Sequence, residues 1–150
     1  MSVELVKTTA EPGMEAVYTQ EFSVHYEYPV HFTEHLFARG NQVFVQSIVR
    51  REPTKRHRIV VFVDANVAAS WPTLVHDIAA YAGVHAESLE LVGRPEVVAG
   101  GEHVKNDPAL VTGLQRRLVE LNIDRHAFVV GIGGGAFLDM IGFVAATTHR

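Results

Sequence analysis

Residues 127–150 read A-F-V-V-G-I-G-G-G-A-F-L-D-M-I-G-F-V-A-A-T-T-H-R, a stretch that indicates the fold more clearly than any other in the chain. The apolar run Ala127–Gly133 predicts a buried strand, and the periodicity of Ala136–Thr148 predicts a helix. Between them, Gly133–Gly135 form a turn whose backbone N–H groups can approach a pyrophosphate, while the helix start favours negative charge. Asp139, one turn into the helix, is placed to face a ribose or a nicotinamide. Taken alone, the pattern fits a nucleotide-binding loop and a purely structural turn equally well.

The same alternation of strand and helix runs back along the chain to about residue 41. Continuous apolar runs predict strands, and apolar residues at helical spacing predict helices. The predicted strands are Arg58–Asp64, Leu89–Val92, Pro95–Gly101 and Ala127–Gly133, and the predicted helices are Asn41–Arg51, Pro72–Ala82, Asp107–Asn122 and Ala136–Thr148. Strands that alternate with helices form parallel sheets through right-handed crossovers. We therefore predict an α/β fold with a Rossmann-like, mostly parallel sheet flanked by helices.

The amino-terminal part is organised differently. Residues 1–20 are polar and aperiodic, which predicts a flexible arm before a domain over residues 21–150. Phe22–Thr33 alternates aromatic or β-branched residues with polar ones, which predicts one or two strands. Pro29 lacks a backbone N–H, so this is an edge strand or is interrupted there. Such an edge strand is a candidate for a homodimer contact.

Composition narrows the classes of function. The 150 residues are 47% hydrophobic and 20% charged, with a net charge of -4 and no cysteine. The mixed charges give no basic patch for nucleic acid, no apolar run has the length of a membrane span, and the amino terminus lacks the features of a signal peptide. The absence of cysteine excludes disulfides and thiolate metal sites. We expect a cytoplasmic protein with neither a nucleic-acid nor a membrane partner.

Two further polar stretches follow predicted strands, where open α/β sheets bind ligands. Asp64 and Asn66, in V-D-A-N, can accept hydrogen bonds from ribose hydroxyls, but these residue types also cap helices. Residues 100–107 read G-G-E-H-V-K-N-D, in which Glu102 and Lys105 can bind ribose and phosphate groups. The same stretch also fits a loop that leads into a capped helix. Each stretch alone favours the structural interpretation.

Histidine is abundant, with nine residues, so metal binding has to be considered. His31 and His35 have the separation of a helical metal-binding pair, but His31 lies in sequence that favours a strand. No third ligand accompanies them, and such a spacing is more often ordinary surface histidine. We predict no metal ligands in this chain.

In order along the chain, these motifs resemble the sugar phosphate cyclase superfamily, whose best-known member is 3-dehydroquinate synthase. That family carries D-x-N, then G-G-E-x-x-K, then G-G-G-x-x-x-D-x-x-G-F-x-A-A-T-x-x-R, and every fixed position is present here between Asp64 and Arg150. The resemblance extends from about Phe22 to the end. Leu138 stands where dehydroquinate synthases usually have glycine. Three stretches are more similar to the dehydroquinate-synthase-like proteins of the ebo gene cluster and to the epi-valiolone synthases: residues 22–37, residues 124–135 and the T-H-R ending.

The resemblance implies a domain that holds NAD and works with a divalent metal, zinc or cobalt. In the family, the metal ligands belong to a helical carboxyl-terminal domain, so we expect this chain to be truncated before that domain and inactive by itself. By motif position, the cofactor-binding residues are Asp64, Asn66, Glu102, Lys105, Gly133, Gly134, Gly135, Asp139, Thr147 and Thr148, and the catalytic, substrate-contacting residue is Arg150. The implied enzyme is a homodimeric phospholyase that acts on a heptulosonate or heptulose phosphate. Its reaction combines transient oxidation, phosphate elimination, reduction and an intramolecular aldol step.

Two alternatives stay open. One is a metal-dependent alcohol dehydrogenase similar to glycerol dehydrogenase, which shares the fold and a glycine-rich turn. The other is a nucleotide-binding module without chemistry of its own. The G-G-E-x-x-K and A-A-T-x-x-R motifs favour a cyclase over a dehydrogenase.

Overall fold

A computed structural model describes residues 22–25, 27–102, 104 and 107–148 of the chain. The chain divides into two compact units, Met1–Val30 and His31–Arg150. The predicted flexible arm over residues 1–20 lies outside the described residues. The described residues of the first unit, 22–25 and 27–30, are exposed and belong to no helix or strand.

The strands predicted over Phe22–Thr33 were wrong for the described part of that segment. A strand forms only where its backbone N–H and C=O groups pair with a neighbour, and the described strands pair only with one another. Pro29 also removes one donor. The alternation of apolar and polar side chains suited a pleated surface, but it carried no information about a partner. The side chain of Phe32 consequently remains 97% exposed.

The second unit alternates strands and helices as predicted. Its elements are α1 (Val43–Val49), β1 (His57–Asp64), α2 (Ala65–Ser70), α3 (Leu74–Val84), β2 (Leu89–Leu91), β3 (Glu96–Val98), α4 (Pro108–Glu120), β4 (Phe128–Ile132) and α5 (Gly135–Thr148). Each strand and helix predicted after residue 40 is confirmed, with boundaries shifted by a few residues. The short helix α2 was not predicted, because six residues are too few to show a helical period and none of them is buried.

Strand β1 is the centre of a parallel sheet. Along one of its edges β2 pairs with the first half and β3 with the second, and β4 pairs along the other edge. The register aligns Asp64 with Val98 and Val63 with Ile132. The carboxyl ends of β1, β3 and β4 therefore lie side by side at one edge of the sheet.

Helices cover both faces of the sheet, which explains why β1 is apolar along almost its whole length. Val60 and Phe62 point into a core shared with α4 and α5. Ile59, Val61 and Val63 point into a second core shared with α1 and α3. Alternate residues of one strand thus serve opposite faces, as the two-residue period of a strand requires. The predicted Rossmann-like α/β arrangement is confirmed.

Tyr81 of α3 fastens α1 to this second core. Its hydroxyl donates a hydrogen bond of 2.8 Å to the carbonyl of Asn41 and accepts one of 3.3 Å from the N–H of Val45. The rings of Phe37 and Phe44 meet the Tyr81 ring edge-on. Burial raises the pKa of the Tyr81 hydroxyl, so the hydroxyl keeps its proton.

Candidate cofactor site

The three glycines between β4 and α5 differ in what surrounds them. A Cβ atom on Gly133 would lie 2.6 Å from a ring carbon of Phe137 and 2.9 Å from the Cβ of Asp64. A Cβ atom on Gly134 or Gly135 would meet nothing within 4 Å. None of the three has a positive φ. Gly133 is therefore required by packing, whereas packing and backbone strain give no reason for Gly134 and Gly135.

The open glycines stand at the start of a long helix. Helix α5 has 14 residues, and the N–H of Leu138 bonds the carbonyl of Gly134 at 3.0 Å. The backbone N–H groups of the residues before Leu138 have no acceptor within the helix, as at every helix start. Together with the helix dipole, these donors favour an anion in the space that Gly134 and Gly135 leave open.

Asp64 ends β1 beneath this turn. It is only 5% exposed, and one carboxylate oxygen accepts a hydrogen bond of 2.7 Å from the N–H of Asn66. The acid is the N-cap of α2, so the capping interpretation of V-D-A-N is confirmed as geometry. A Cβ atom on Gly100 would collide with the Asp64 carboxylate. The next residue, Gly101, has a φ of 99°, a positive backbone angle that glycine adopts more easily than any other residue.

Other predicted residues surround the same edge of the sheet. The side chain of Asn66 is exposed in the first turn of α2, and Glu102 is exposed directly after the two glycines. Asp139 is exposed on the first turns of α5. Lys105 and Arg150 lie outside the described residues. Asp107 caps α4, because its carboxylate accepts a hydrogen bond of 2.9 Å from the N–H of Leu110.

Thr147 and Thr148 are not brought to this edge. They lie at the other end of α5, and a helical rise of 1.5 Å per residue puts Thr147 about 18 Å along the axis from Gly135. The Thr147 hydroxyl bonds the carbonyl of Phe143 at 2.7 Å and accepts a hydrogen bond of 2.8 Å from Gln115. The Thr148 hydroxyl bonds the carbonyl of Val144 at 2.6 Å. Their role in a cofactor pocket stays a prediction.

A large cavity lies elsewhere in the described part of the chain. It has a volume of about 970 Å³ and lies between the turn at residues 34–39 and helices α2 and α3. Its walls include Phe37, Trp71 and Leu74, and no predicted site residue lines it. This cavity is mainly apolar, although Leu74 at the start of α3 lies in its wall. A site for a pyrophosphate fits the glycine turn better, because the turn leaves open space at a helix start and lies at the edge of the sheet where the other predicted polar residues follow their strands.

Metal and membrane features can be judged only for the described part of the chain. Within it, no three histidine, aspartate or glutamate side chains converge as a metal site would require. His31 and His35 are both exposed, and no helix holds them at the spacing of a metal-binding pair. No helix in the same ranges has the length and apolar character to cross a bilayer.

Comparison with known proteins supports the sequence resemblance. Residues 96–150 match the family model described as 3-dehydroquinate synthase N-terminal. The 3-dehydroquinate synthase of Chlamydia trachomatis serovar L2 is 39% identical over 74 residues, which cover 49% of this chain and 18% of that protein. The enzyme of Cutibacterium acnes is 47% identical over 53 residues, covering 35% and 14%. That of Rhodopseudomonas palustris is 33% identical over 96 residues, covering 62% and 22%. The chain thus spans only about a fifth of these relatives.

A solved structure is similar over a larger part of the chain. It is a 2-deoxy-scyllo-inosose synthase in complex with carbaglucose-6-phosphate, NAD+ and Co2+. The match has a TM-score of 0.50 and 25% identity and covers 69% of this chain and 27% of that one.

Proposed function

We propose that this chain, a 3-dehydroquinate-synthase-like N-terminal domain of the sugar phosphate cyclase type, binds NAD at the turn between β4 and α5. One observation carries the proposal. Gly133 is required by packing, but Gly134 and Gly135 leave open space in front of the unpaired N–H groups of a 14-residue helix. That space accommodates the pyrophosphate of a dinucleotide.

The remaining contacts follow from position around the same edge. Asn66 and Glu102, both exposed after strand ends, are proposed to bind the adenosine part, with Lys105 as their motif partner. Asp64, the first residue of the D-x-N motif, lies buried at the same edge. Asp139, on the first turns of α5, is proposed to lie near the nicotinamide. Thr147, Thr148 and Arg150 keep the roles that the family resemblance gives them: the threonines in the cofactor pocket and the arginine at the substrate.

The proposed activity is that of a whole cyclase in which this domain is the cofactor-binding half. NAD, when bound, supplies transient oxidation of a ring hydroxyl, which makes the neighbouring proton acidic enough for phosphate elimination. A divalent metal, zinc or cobalt, would supply Lewis acidity at the substrate's hydroxyls, and its proposed ligands belong to a helical domain outside these residues. The domain itself holds and orients the dinucleotide at the edge of the sheet.

The substrate proposed is a heptulosonate or heptulose phosphate. A sugar phosphate is supported by the carbaglucose-6-phosphate bound to the inosose synthase. The cyclase interpretation is favoured over a glycerol-dehydrogenase-like one because the family model and the relatives reported above are all cyclases. A cytoplasmic location and a homodimer complete the proposal. Light scattering during size-exclusion chromatography that shows only monomer at high concentration contradicts the dimer.

The experiment that tests the proposal adds a negative charge at the turn. Gly134→Asp places a capping residue just before α5, which suits the helix, and at the same time repels a phosphate. We expect the melting temperature to stay the same or rise, and the affinity for NAD to fall at least tenfold. Saturation-transfer NMR detects even millimolar binding and therefore suits the 150-residue chain.

Gly113→Asp is the matched control. Gly113 lies exposed in α4, and a Cβ there meets nothing within 4 Å. It adds the same charge elsewhere on the surface, so NAD binding is expected to stay within about twofold of the parent chain. Equal affinity of the Gly134→Asp variant and the parent, or no binding by the parent at millimolar NAD, contradicts the proposal.

A further inference from the structure

We propose that Asp64 is a positioning residue that joins the loops of the cofactor site, and that it does not itself contact the dinucleotide. This inference rests on the proposed function, since it reassigns one of the residues that the family motif places at the cofactor. It starts from burial. The side chains of Asn66 and Glu102 are exposed at the same edge, but Asp64 is 5% exposed.

The Asp64 carboxylate is occupied by the protein on one side. Its Oδ1 accepts the hydrogen bond from the N–H of Asn66 and so fixes the start of α2, where the exposed Asn66 side chain begins. Asp64 thereby sets the orientation of Asn66, whose exposed side chain is available to a ligand. A ribose hydroxyl that replaced this bond would leave the first turn of α2 without its cap.

Two glycines that follow neighbouring strands make room for the Asp64 side chain. The register pairs Asp64 with Val98, and Gly100 comes two residues after Val98. A Cβ atom on Gly100 would collide with the carboxylate, and one on Gly133 would lie 2.9 Å from the Cβ of Asp64. Asp64 therefore occupies the space that Gly100 leaves free and shares with the Phe137 ring the space that Gly133 leaves free.

These contacts connect Asp64 to both ligand-facing loops. Gly100 is followed by Gly101 and the exposed Glu102, and Gly133 is followed by the open Gly134. A change in the size of the Asp64 side chain therefore shifts the loop after β3 relative to the loop after β4. Gly100 is thus explained by the acid, and Gly133 by the acid together with the Phe137 ring, while the glycines after them are free to serve the ligand or the turn.

A double-mutant cycle on Asp64 and Gly100 tests this proposal. Gly100→Ala forces the new methyl group against the carboxylate, and we expect a lower melting temperature and about tenfold weaker NAD binding. Asp64→Ala removes the γ carbon together with the carboxylate, and the single variant measures the cost of the lost N-cap. In the double variant the methyl group meets no carboxylate, so we expect the losses in melting temperature and affinity to fall short of the sum of the two single losses by at least half of the Gly100→Ala loss. Losses that simply add in the double variant overturn the proposal.

Asp64→Asn supplies the second readout. Asparagine has nearly the same shape and caps helices as well as aspartate, so a positioning role predicts an unchanged melting temperature and an NAD affinity within about threefold. A direct contact of the carboxylate with ribose hydroxyls predicts an unchanged melting temperature and at least tenfold weaker binding, which overturns the proposal.

The two proposals fail in different ways. The melting temperatures of the cycle are measured without NAD, so they test the packing of Asp64 against Gly100 even if the chain binds no dinucleotide. A loss in melting temperature that falls short of the sum, without any NAD binding by the parent chain, contradicts only the proposed function. Additive losses in a chain that binds NAD contradict only the positioning role.

Discussion

Replacing Gly133 by alanine separates packing from ligand binding in the glycine turn. The new Cβ would lie 2.6 Å from the Cδ1 atom of Phe137, a ring that is only 1% exposed and belongs to the core beneath α5. A contact this short forces the ring or the turn to move. Overpacking of a well-filled core costs about 1–3 kcal/mol, and we expect a loss of about 2 kcal/mol in the free energy of unfolding.

The same substitution at the next position provides the comparison. Gly134→Ala meets no atom within 4 Å and needs no left-handed backbone, so we expect a change within about 0.5 kcal/mol. Urea unfolding followed by circular dichroism gives both values. A Gly133→Ala variant as stable as the parent, or a Gly134→Ala variant destabilised to the same extent, refutes the assignment of packing to one glycine and open space to the other.

Three further predictions concern stability. Gly142→Ala is expected to stabilise the domain by about 1 kcal/mol in urea unfolding, because Gly142 is exposed inside α5 and a Cβ there meets nothing; no gain contradicts the geometry of that helix. Tyr81→Phe leaves the Val45 N–H and the Asn41 carbonyl without their partner and is expected to cost about 1–2 kcal/mol. Because burial raises the Tyr81 pKa above 10.0, its contribution is complete below about pH 10 and is lost as the pH rises through the raised pKa, so parent and variant should converge in alkaline melting curves. Asp107→Ala removes the cap of α4 and is expected to cost about 1 kcal/mol in thermal unfolding, with Asp107→Asn as the control that keeps it.

The sequence was sufficient to predict the elements that bury a periodic apolar face. Strand β1 and helix α4 followed from runs and spacing alone, since packing on a parallel sheet imposes those patterns. The strand predicted at residues 22–33 failed because pairing depends on a partner, and no local pattern identifies one. Helix α2 was not predicted, because it buries none of its residues and so leaves no periodic apolar pattern in the sequence. Its first turn is stabilised by the cap at Asp64.

The candidate site was predictable as a set of motifs but not as an arrangement. Three motifs follow one another along the chain: D-A-N, G-G-E and the glycine-rich turn. The parallel register of the strands then places them at one edge of the sheet. The difference between Gly133 and Gly134 depends on which side chains lie across the turn, and those come from β1 and α5. The separation of Thr147 from the turn follows from helix length, once the helix is known to continue to Thr148.

An NAD titration of the 15N-labelled chain, followed residue by residue through its backbone amide resonances, tests directly whether the open turn receives the pyrophosphate. We expect the largest shifts on Gly134, Gly135 and the first turn of α5. Resonances of Phe37 and Trp71, at the apolar cavity, should stay in place. Shifts confined to that cavity, with none at the glycine turn, would show that the pyrophosphate does not bind at the open turn.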